Sequence, residues 1–210
     1  MPPDTQGKEK IGLRERKKRK TRLTLQQQAL RLFREQGYRE TTIEQIAEAC
    51  EISPSTFFRY FPTKEALVLD DEYDPILVRE FQRQPPELTP IQAFRAAARA
   101  GFAGMTLEES AALKERIGLM ISVPELRAAS LMQMNETLLM IAEIMAERLG
   151  RSKDDFQVMT FAGSILGAMM TVQIYCKNHP EADFAQTVDE ALSYLETGQP
   201  LAGQGTTPQK

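Results

Sequence analysis

Between Thr41 and Lys64 the chain carries two helical patterns with almost nothing between them. Ile43, Ile46, Ala47 and Cys50 recur at i, i+3, i+4 and i+7, one face of a helix, and Thr41-x-x-Glu44 reads as the capping box that starts it. Ser53 is a good N-cap and Pro54 suits a first helical position, so a second, short helix is predicted from there to near Pro62. Phe57 and Phe61, four residues apart, anchor one face of it and leave Ser55, Phe58 and Arg59 pointing the other way. This is the pattern of a helix-turn-helix, with an ordinary helical corner as the plainer alternative. A short helix pinned by aromatics, with hydroxyls and an arginine outside, suits a major groove, where Arg pairs with guanine and apolar groups meet thymine methyls.

Charge points the same way. From Lys8 to Arg22 there are nine Lys or Arg (Lys8, Lys10, Arg14, Arg16, Lys17, Lys18, Arg19, Lys20, Arg22) against Glu9 and Glu15, a local charge of +7. Residues 1–64 hold fourteen Lys or Arg and eight Asp or Glu, net +6, and the remainder twelve against twenty-one, net −9. The overall −3 therefore conceals a polarised molecule. Phosphate contacts by such a run give affinity and strong salt dependence without sequence choice. A solvated tail or a membrane-surface patch is the alternative reading of any basic run.

The rest of the chain reads as helices. At 210 residues and 42% hydrophobic it can bury a small and a medium core. A first helix is expected from Leu13 or Arg14 to Gln36, with Leu25, Ala29, Leu32 and Phe33 inward and Gly37 as its stop. A linking element starts at Thr63 and carries Ala66, Leu67 and Leu69; Asp74-Pro75 marks a break or kink, and Pro85-Pro86 closes that stretch. Start signals then recur at Thr89-Pro90, Thr106-x-x-Glu109, Ser122-x-x-Glu125 and Ser152-x-x-Asp155, giving helices near 90–104, 107–121, 124–149, 153–178 and 183–197. The tail 198–210, rich in Gly, Gln, Thr and Pro, is expected to be disordered.

Several function classes lose support. Cys50 and Cys176 are isolated in apolar helical patterns and read as buried, reduced thiols. His179 has no partner at ligand spacing, and neither nucleophile motif nor phosphate-cradling glycine loop appears, so no enzyme, metal or cofactor is implied. No apolar stretch follows the N-terminal charges, and the apolar clusters look too short and interrupted to span a membrane, so a cytoplasmic protein is expected.

Leu25, Ala29, Leu32-Phe33, Gly37-Tyr38, Thr41-Thr42, Ile46-Ala47, Ile52-Ser53 and the run Phe57-Phe58-Arg59-Tyr60-Phe61-Pro62-Thr63-Lys64-Glu65-Ala66-Leu67 closely resemble the TetR family of bacterial transcriptional regulators. The resemblance covers roughly a quarter of the chain, and its motif is specific near an N-terminus. It implies an all-α chain, a three-helix DNA-binding domain followed by a larger helical ligand-binding and dimerisation bundle. The expected division is a basic arm at 1–20, the helix-turn-helix domain at 21–67, the bundle at 68–197 and the tail at 198–210. By resemblance Thr42, Ser55, Thr56, Phe58, Arg59, Tyr60 and Lys64 would touch DNA, the last two mostly through phosphates. Arg19 and Arg22 from the basic run, and Thr41 and Ser53 at the helix starts, complete the candidate set. Two residues depart from the family's pattern. Glu51 stands where a glycine is usual, so a left-handed conformation there would cost roughly 1 kcal/mol; Phe58 replaces a usual tyrosine and loses its phenolic hydrogen bond.

Nine methionines lie between Met105 and Met170, and their adaptable thioethers suit a pocket for hydrophobic ligands, although each could merely fill core. The candidate lining is Phe94, Phe102, Met120, Met134, Asn135, Leu138, Met170 and Gln173. The last two helices offer Phe161, Gly163, Gly167, Val188, Leu192 and Leu195 as a close-packing stripe. In the resembled family those helices form a four-helix bundle across a two-fold axis, which sets two reading helices about 34–36 Å apart on a palindromic operator. Gly163 and Gly167 could instead make room for a ligand. Gly12 to Arg22, Thr56 to Lys64 and Pro124-Glu125-Leu126-Arg127 look like an actinobacterial subgroup that includes mycofactocin-associated regulators. Its members are linked to acyl-CoA ligands, so a long-chain acyl thioester is the first expected effector, before a drug-like aromatic or a fatty acid. The expected protein is a homodimeric repressor that a hydrophobic small molecule releases from double-stranded DNA. The alternative is an architectural DNA-binding protein without ligand response, its binding dominated by phosphates.

Overall fold

A computed structural model describes residues 13–70 and 73–198, so the predicted arm before Leu13 and the tail after Gly198 lie outside the described residues. Among those described, ten helices and no strand occur, in two compact units that meet in the chain at Asp70. The first helix begins at Leu13, as its sequence predicts, and so includes the last residues of the basic stretch assigned to 1–20.

The first unit holds α1 (Leu13–Gln36), α2 (Ile43–Ala49), α3 (Pro54–Phe58) and α4 (Ala66–Leu69). Its core is built by Leu25, Ala29, Leu30, Phe33, Ile46, Phe57, Phe61 and Leu67. Leu30 takes the buried place expected of Leu32, which is half-buried, because α1 turns a wider face inward and also buries Gln26. The start of α2 lies one residue later than its sequence suggests. Thr42 is the N-cap: its hydroxyl accepts from the Gln45 N–H at 3.2 Å, and Gln45 Oε1 accepts from the Thr42 N–H at 2.8 Å. Thr41 is turned inward, donating its hydroxyl to the Gly37 carbonyl at 2.8 Å and so closing the preceding loop. Ser53 caps α3 as expected, with Pro54 in its first turn. The regular helix ends at Phe58, short of Pro62, and a tighter turn carries the chain on, with Tyr60 N–H on the Phe57 carbonyl at 2.8 Å. Ala66 N–H donates to Thr63 Oγ1 at 3.2 Å, so Thr63 does start the linking element, although α4 itself has one turn only.

The second unit holds α5 (Tyr73–Gln82), α6 (Pro90–Phe102), α7 (Leu107–Ser122), α8 (Pro124–Leu149), α9 (Phe156–Asn178) and α10 (Phe184–Thr197). Helix α9 packs on α8 and α10, α6 on α5 and α10, and α7 on α8. Asp74-Pro75 falls in the first turn of α5, where proline is tolerated, and not at a break. Thr89 and Thr106 start α6 and α7 as expected, Thr106 through the predicted box with Glu109 and Thr89 through a further one with Gln92. Ser122 and Ser152 are not caps. Ser122 ends α7, its hydroxyl spent on the Gly118 carbonyl at 2.6 Å, and Val123 alone separates α7 from α8. Asp155 caps α9, because its carboxylate accepts from two N–H groups, of Gln157 and Val158, and so outcompetes the serine three residues earlier.

Helix α9 corrects the membrane expectation. Among the described residues this one helix, of 23 residues, is long and apolar enough to cross a bilayer by length and composition alone. Its apolarity has another physical reason: one side carries Val158, Ala162, Ile165, Val172 and Cys176 into the core. Cys176 is buried and Cys50 half-buried, both free; burial pushes the Cys50 thiol up against the lowering effect of Arg31.

Candidate nucleic-acid interface and effector cavity

Helix α3 is held from beneath. Phe57 and Phe61 are fully buried, their rings 6.1 Å apart, and removing either ring would cost about 3–5 kcal/mol. That fixes the opposite side outward. Phe58 is 51% exposed and edge-on to Phe57, and Ser53, Ser55 and Arg59 are exposed beside it. Ser53 Oγ accepts from the Thr56 N–H and lies 2.9 Å from both Ser55 Oγ and Thr56 Oγ1, a hydroxyl cluster at the helix start. The Arg59 guanidinium lies 5.4 Å from the half-buried Tyr60 ring, which supports it at the helix end. Thr42 is exposed at the start of α2 and Arg19 on α1.

Three predicted DNA contacts have other partners. Thr41 is fully buried and has no surface to give a duplex. Lys64 Nζ donates to the carbonyls of Tyr38 and Thr41, 2.9 Å each, and sits 4.3 Å from the Tyr38 ring, so it clamps the loop before α2. Arg22 bonds the Tyr60 carbonyl and Asp70. Nothing in the spacing of one chain announces the partners of Lys64 and Arg22, which lie 23 to 48 residues away.

In the second unit the predicted lining residues are not among those that surround one cavity there. Phe94 is core, 6.1 Å from Phe81, and Phe102 stacks edge-on with Phe184. Met120, Met134, Leu138, Met170 and Gln173 are half-buried and Asn135 exposed. A cavity of about 540 Å³ opens instead between the start of α6, the end of α8, the start of α9 and the end of α10. Its floor includes Ile91, Met145, Val158 and Phe161, and its polar groups include Gln92, Arg151, Gln157 and Glu196. Phe161, expected at an interface, thus lines a cavity. Beside it an ion cluster ties α6 to α10: Arg95 and Arg99 both grip the Asp189 carboxylate with two bonds at 2.5–2.8 Å, and Arg95 reaches Glu196 at 2.8 Å. Bonds from Arg95 and then Arg99 hold the Asp189 carboxyl well below the usual aspartate range; Arg95, then Gln92, lower Glu196.

Of the expected interface residues, Val188 and Leu192 are buried within their own chain and cannot form a contact stripe. Gly163, Gly167 and Leu195 are exposed. The outer face of α9 is lined by Thr160, Gly163, Ser164, Gly167 and Thr171. Its three hydroxyls each donate to a carbonyl four residues back in the same helix, at 2.7–3.0 Å, which leaves a smooth seam without unmet donors. His179 closes the helix, stacked on Tyr175 with ring centroids 4.1 Å apart.

Residues 26–70 match the family of bacterial regulatory proteins named for TetR, and residues 88–200, more than half the chain, match the MftR C-terminal domain. The chain belongs to the TetR family. Among curated TetR-type relatives, the regulator TcmR of Streptomyces glaucescens is 38% identical over 151 residues, 69% of this chain and 67% of TcmR. The putative mycofactocin biosynthesis regulator MftR of Mycobacterium tuberculosis is 24% identical, over 81% of this chain and 86% of its own. A solved structure of Thermus thermophilus FadR, a TetR-family repressor in complex with lauroyl-CoA, superposes with a TM-score of 0.53 at 25% identity, covering 90% of this chain and all of FadR. The first unit is accordingly the helix-turn-helix domain of a DNA-binding transcriptional regulator, not an enzyme.

Proposed function

We propose that this TetR-family protein is a cytoplasmic, homodimeric repressor that reads a palindromic operator and is released when a hydrophobic molecule, first of all a long-chain acyl-CoA, occupies the second unit. The observation that carries the DNA-reading part is the outward face of α3, with Ser53, Ser55, Phe58 and Arg59 presented over a pinned aromatic base. Arg59 supplies the fork for a guanine edge and Phe58 the apolar contact for a thymine methyl. Thr42, Thr56 and Tyr60 add backbone contacts around it, and the basic run that includes Arg19 supplies phosphate affinity.

Pairing of two heads is supported by α9. The seam of small residues is flanked by Phe156, Ile174 and Tyr175, exposed by 83%, 51% and 47%, with Tyr194 on α10 at 60%. Large exposed side chains around a smooth strip suit burial against a second copy.

The acyl-CoA reading is supported by the FadR complex with lauroyl-CoA and by a cavity whose volume lies within the range of small-molecule sites. Effector and operator must then oppose one another reciprocally, each weakening the other's binding by one factor. Calorimetric titration of lauroyl-CoA into the free protein and into its operator complex tests this. Weaker binding to the complex, by the factor with which ligand weakens DNA, supports release; equal affinities remove ligand control.

A further inference from the structure

Arg22 and Gln26 stand one turn apart on α1, and both reach Asp70, the residue at which the first unit ends. Gln26 is 6% exposed and donates its side-chain amide to the carbonyls of Leu67 and Asp70, 3.2 Å each. It thereby serves carbonyls at the end of α4, which a helix terminus leaves without partners of its own. Arg22 makes a wider bridge. One guanidinium nitrogen donates to Asp70 Oδ2 at 3.1 Å, another to the Tyr60 carbonyl at 2.6 Å, and the plane lies 4.2 Å from the Phe61 ring centroid. One rigid fork thus joins the turn that ends the reading helix to the end of α4.

We propose that Arg22 is a positioning residue for operator recognition and not a phosphate contact: with Asp70 it forms a latch that sets the angle at which α3 is presented. The geometry favours this over the role suggested by its place in a basic run. Its side chain is only 21% exposed, its charge faces a carboxylate, and its planar donors are aimed at two protein acceptors in different elements. A lysine could offer the charge but not the fork. Base readout depends on side-chain placement within fractions of an ångström, so slack at the end of α3 is felt by specific binding and not by the phosphate attraction that random duplex shares.

The two roles give opposite signs for Asp70→Asn, which makes the test decisive. If Arg22 served a phosphate, Asp70 would compete for it; removing the carboxylate charge would tighten all DNA binding and steepen the dependence of log K on log salt by about one contact. The latch predicts operator binding weaker by about five- to tenfold, with random-duplex affinity and salt slope unchanged. Arg22→Lys separates them a second time: charge retention restores a phosphate contact, whereas the latch leaves operator binding as weak as in Arg22→Met. Fluorescence anisotropy on operator and random duplexes across a salt series reads both, with thermal unfolding alongside. A merely structural role lowers the unfolding midpoint and both affinities together, and that result overturns the proposal, as does unchanged or tighter operator binding in Asp70→Asn. The inference rests on operator reading as proposed above. Wild-type discrimination between the two duplexes reports on that reading, and the sign of the Asp70→Asn effect reports on the latch.

Discussion

Glu51 occupies a left-handed backbone conformation, φ 55°, which side chains other than glycine adopt at a cost. It is tolerated because the end of α2 closes around it: Ile52 N–H reaches the Ala47 carbonyl and Glu51 N–H the Glu48 carbonyl, both at 2.9 Å, the paired bonds of a Schellman turn. Glu51→Gly relieves the strain but adds unfolded-chain entropy of nearly the same size, so a net gain of at most about 0.5 kcal/mol is expected in urea unfolding. Arg59→Ala should cost about 1–3 kcal/mol of operator binding and relax specificity at one base position, with little change on random duplex. The left-handed conformation at Glu51 was legible only through the resemblance, since glycine is usual at that position of the family. The inward turn of Thr41 was not, since Thr41 and Thr42 can each begin a capping box, with Glu44 and Gln45 respectively, and only packing against the preceding loop chooses between them.

Among elements, α6 and α10 are joined by a charged junction. Gln92, Arg95 and Arg99 line one face of α6 and meet Asp189 and Glu196, seven apart on α10. The Asp189 carboxyl is held below its ordinary 3.8, so its contribution is complete above that value and is lost as pH falls through the lower folded one. Stability should therefore be flat in this group from about pH 5 to 8 and fall below about pH 4. Asp189→Asn should destabilise the protein by about 1–2 kcal/mol at neutral pH, the value of charge-assisted bonds discounted for partial exposure, and flatten the acid limb of a pH-dependent thermal denaturation. Helix starts were legible where a threonine stands alone as the signal, before Pro90 and three residues before Glu109. The start of α9 shifted from 153 to Phe156 because Asp155 and not Ser152 caps it, whereas α8 spans Pro124–Leu149 as expected although Ser122 does not cap it. The ion cluster was not legible, because Arg95 and Asp189 are 94 residues apart and either could have faced solvent.

At the scale of the molecule, the basic first 64 residues and acidic remainder divide the work between DNA and effector. The two-part helical plan followed from the motif at 41–64 and the later start signals; the cavity did not, because four helix ends converge on it and no single stretch carries its pattern. A Cβ added at Gly167 would meet nothing within 4 Å in its own chain, and the position is exposed, so Gly167→Glu should fold normally. Placed on the α9 seam, the charge should turn a dimer into a monomer in sedimentation velocity and weaken operator binding by lost pairing. The central claim, sequence-specific reading of DNA by a symmetric pair of α3 helices, is met most directly by selecting bound duplexes from a random pool at near-physiological salt. A two-fold-symmetric motif with half-sites about one helical turn apart is the predicted result; recovery of DNA without any common motif would contradict it and leave only phosphate-driven, architectural binding.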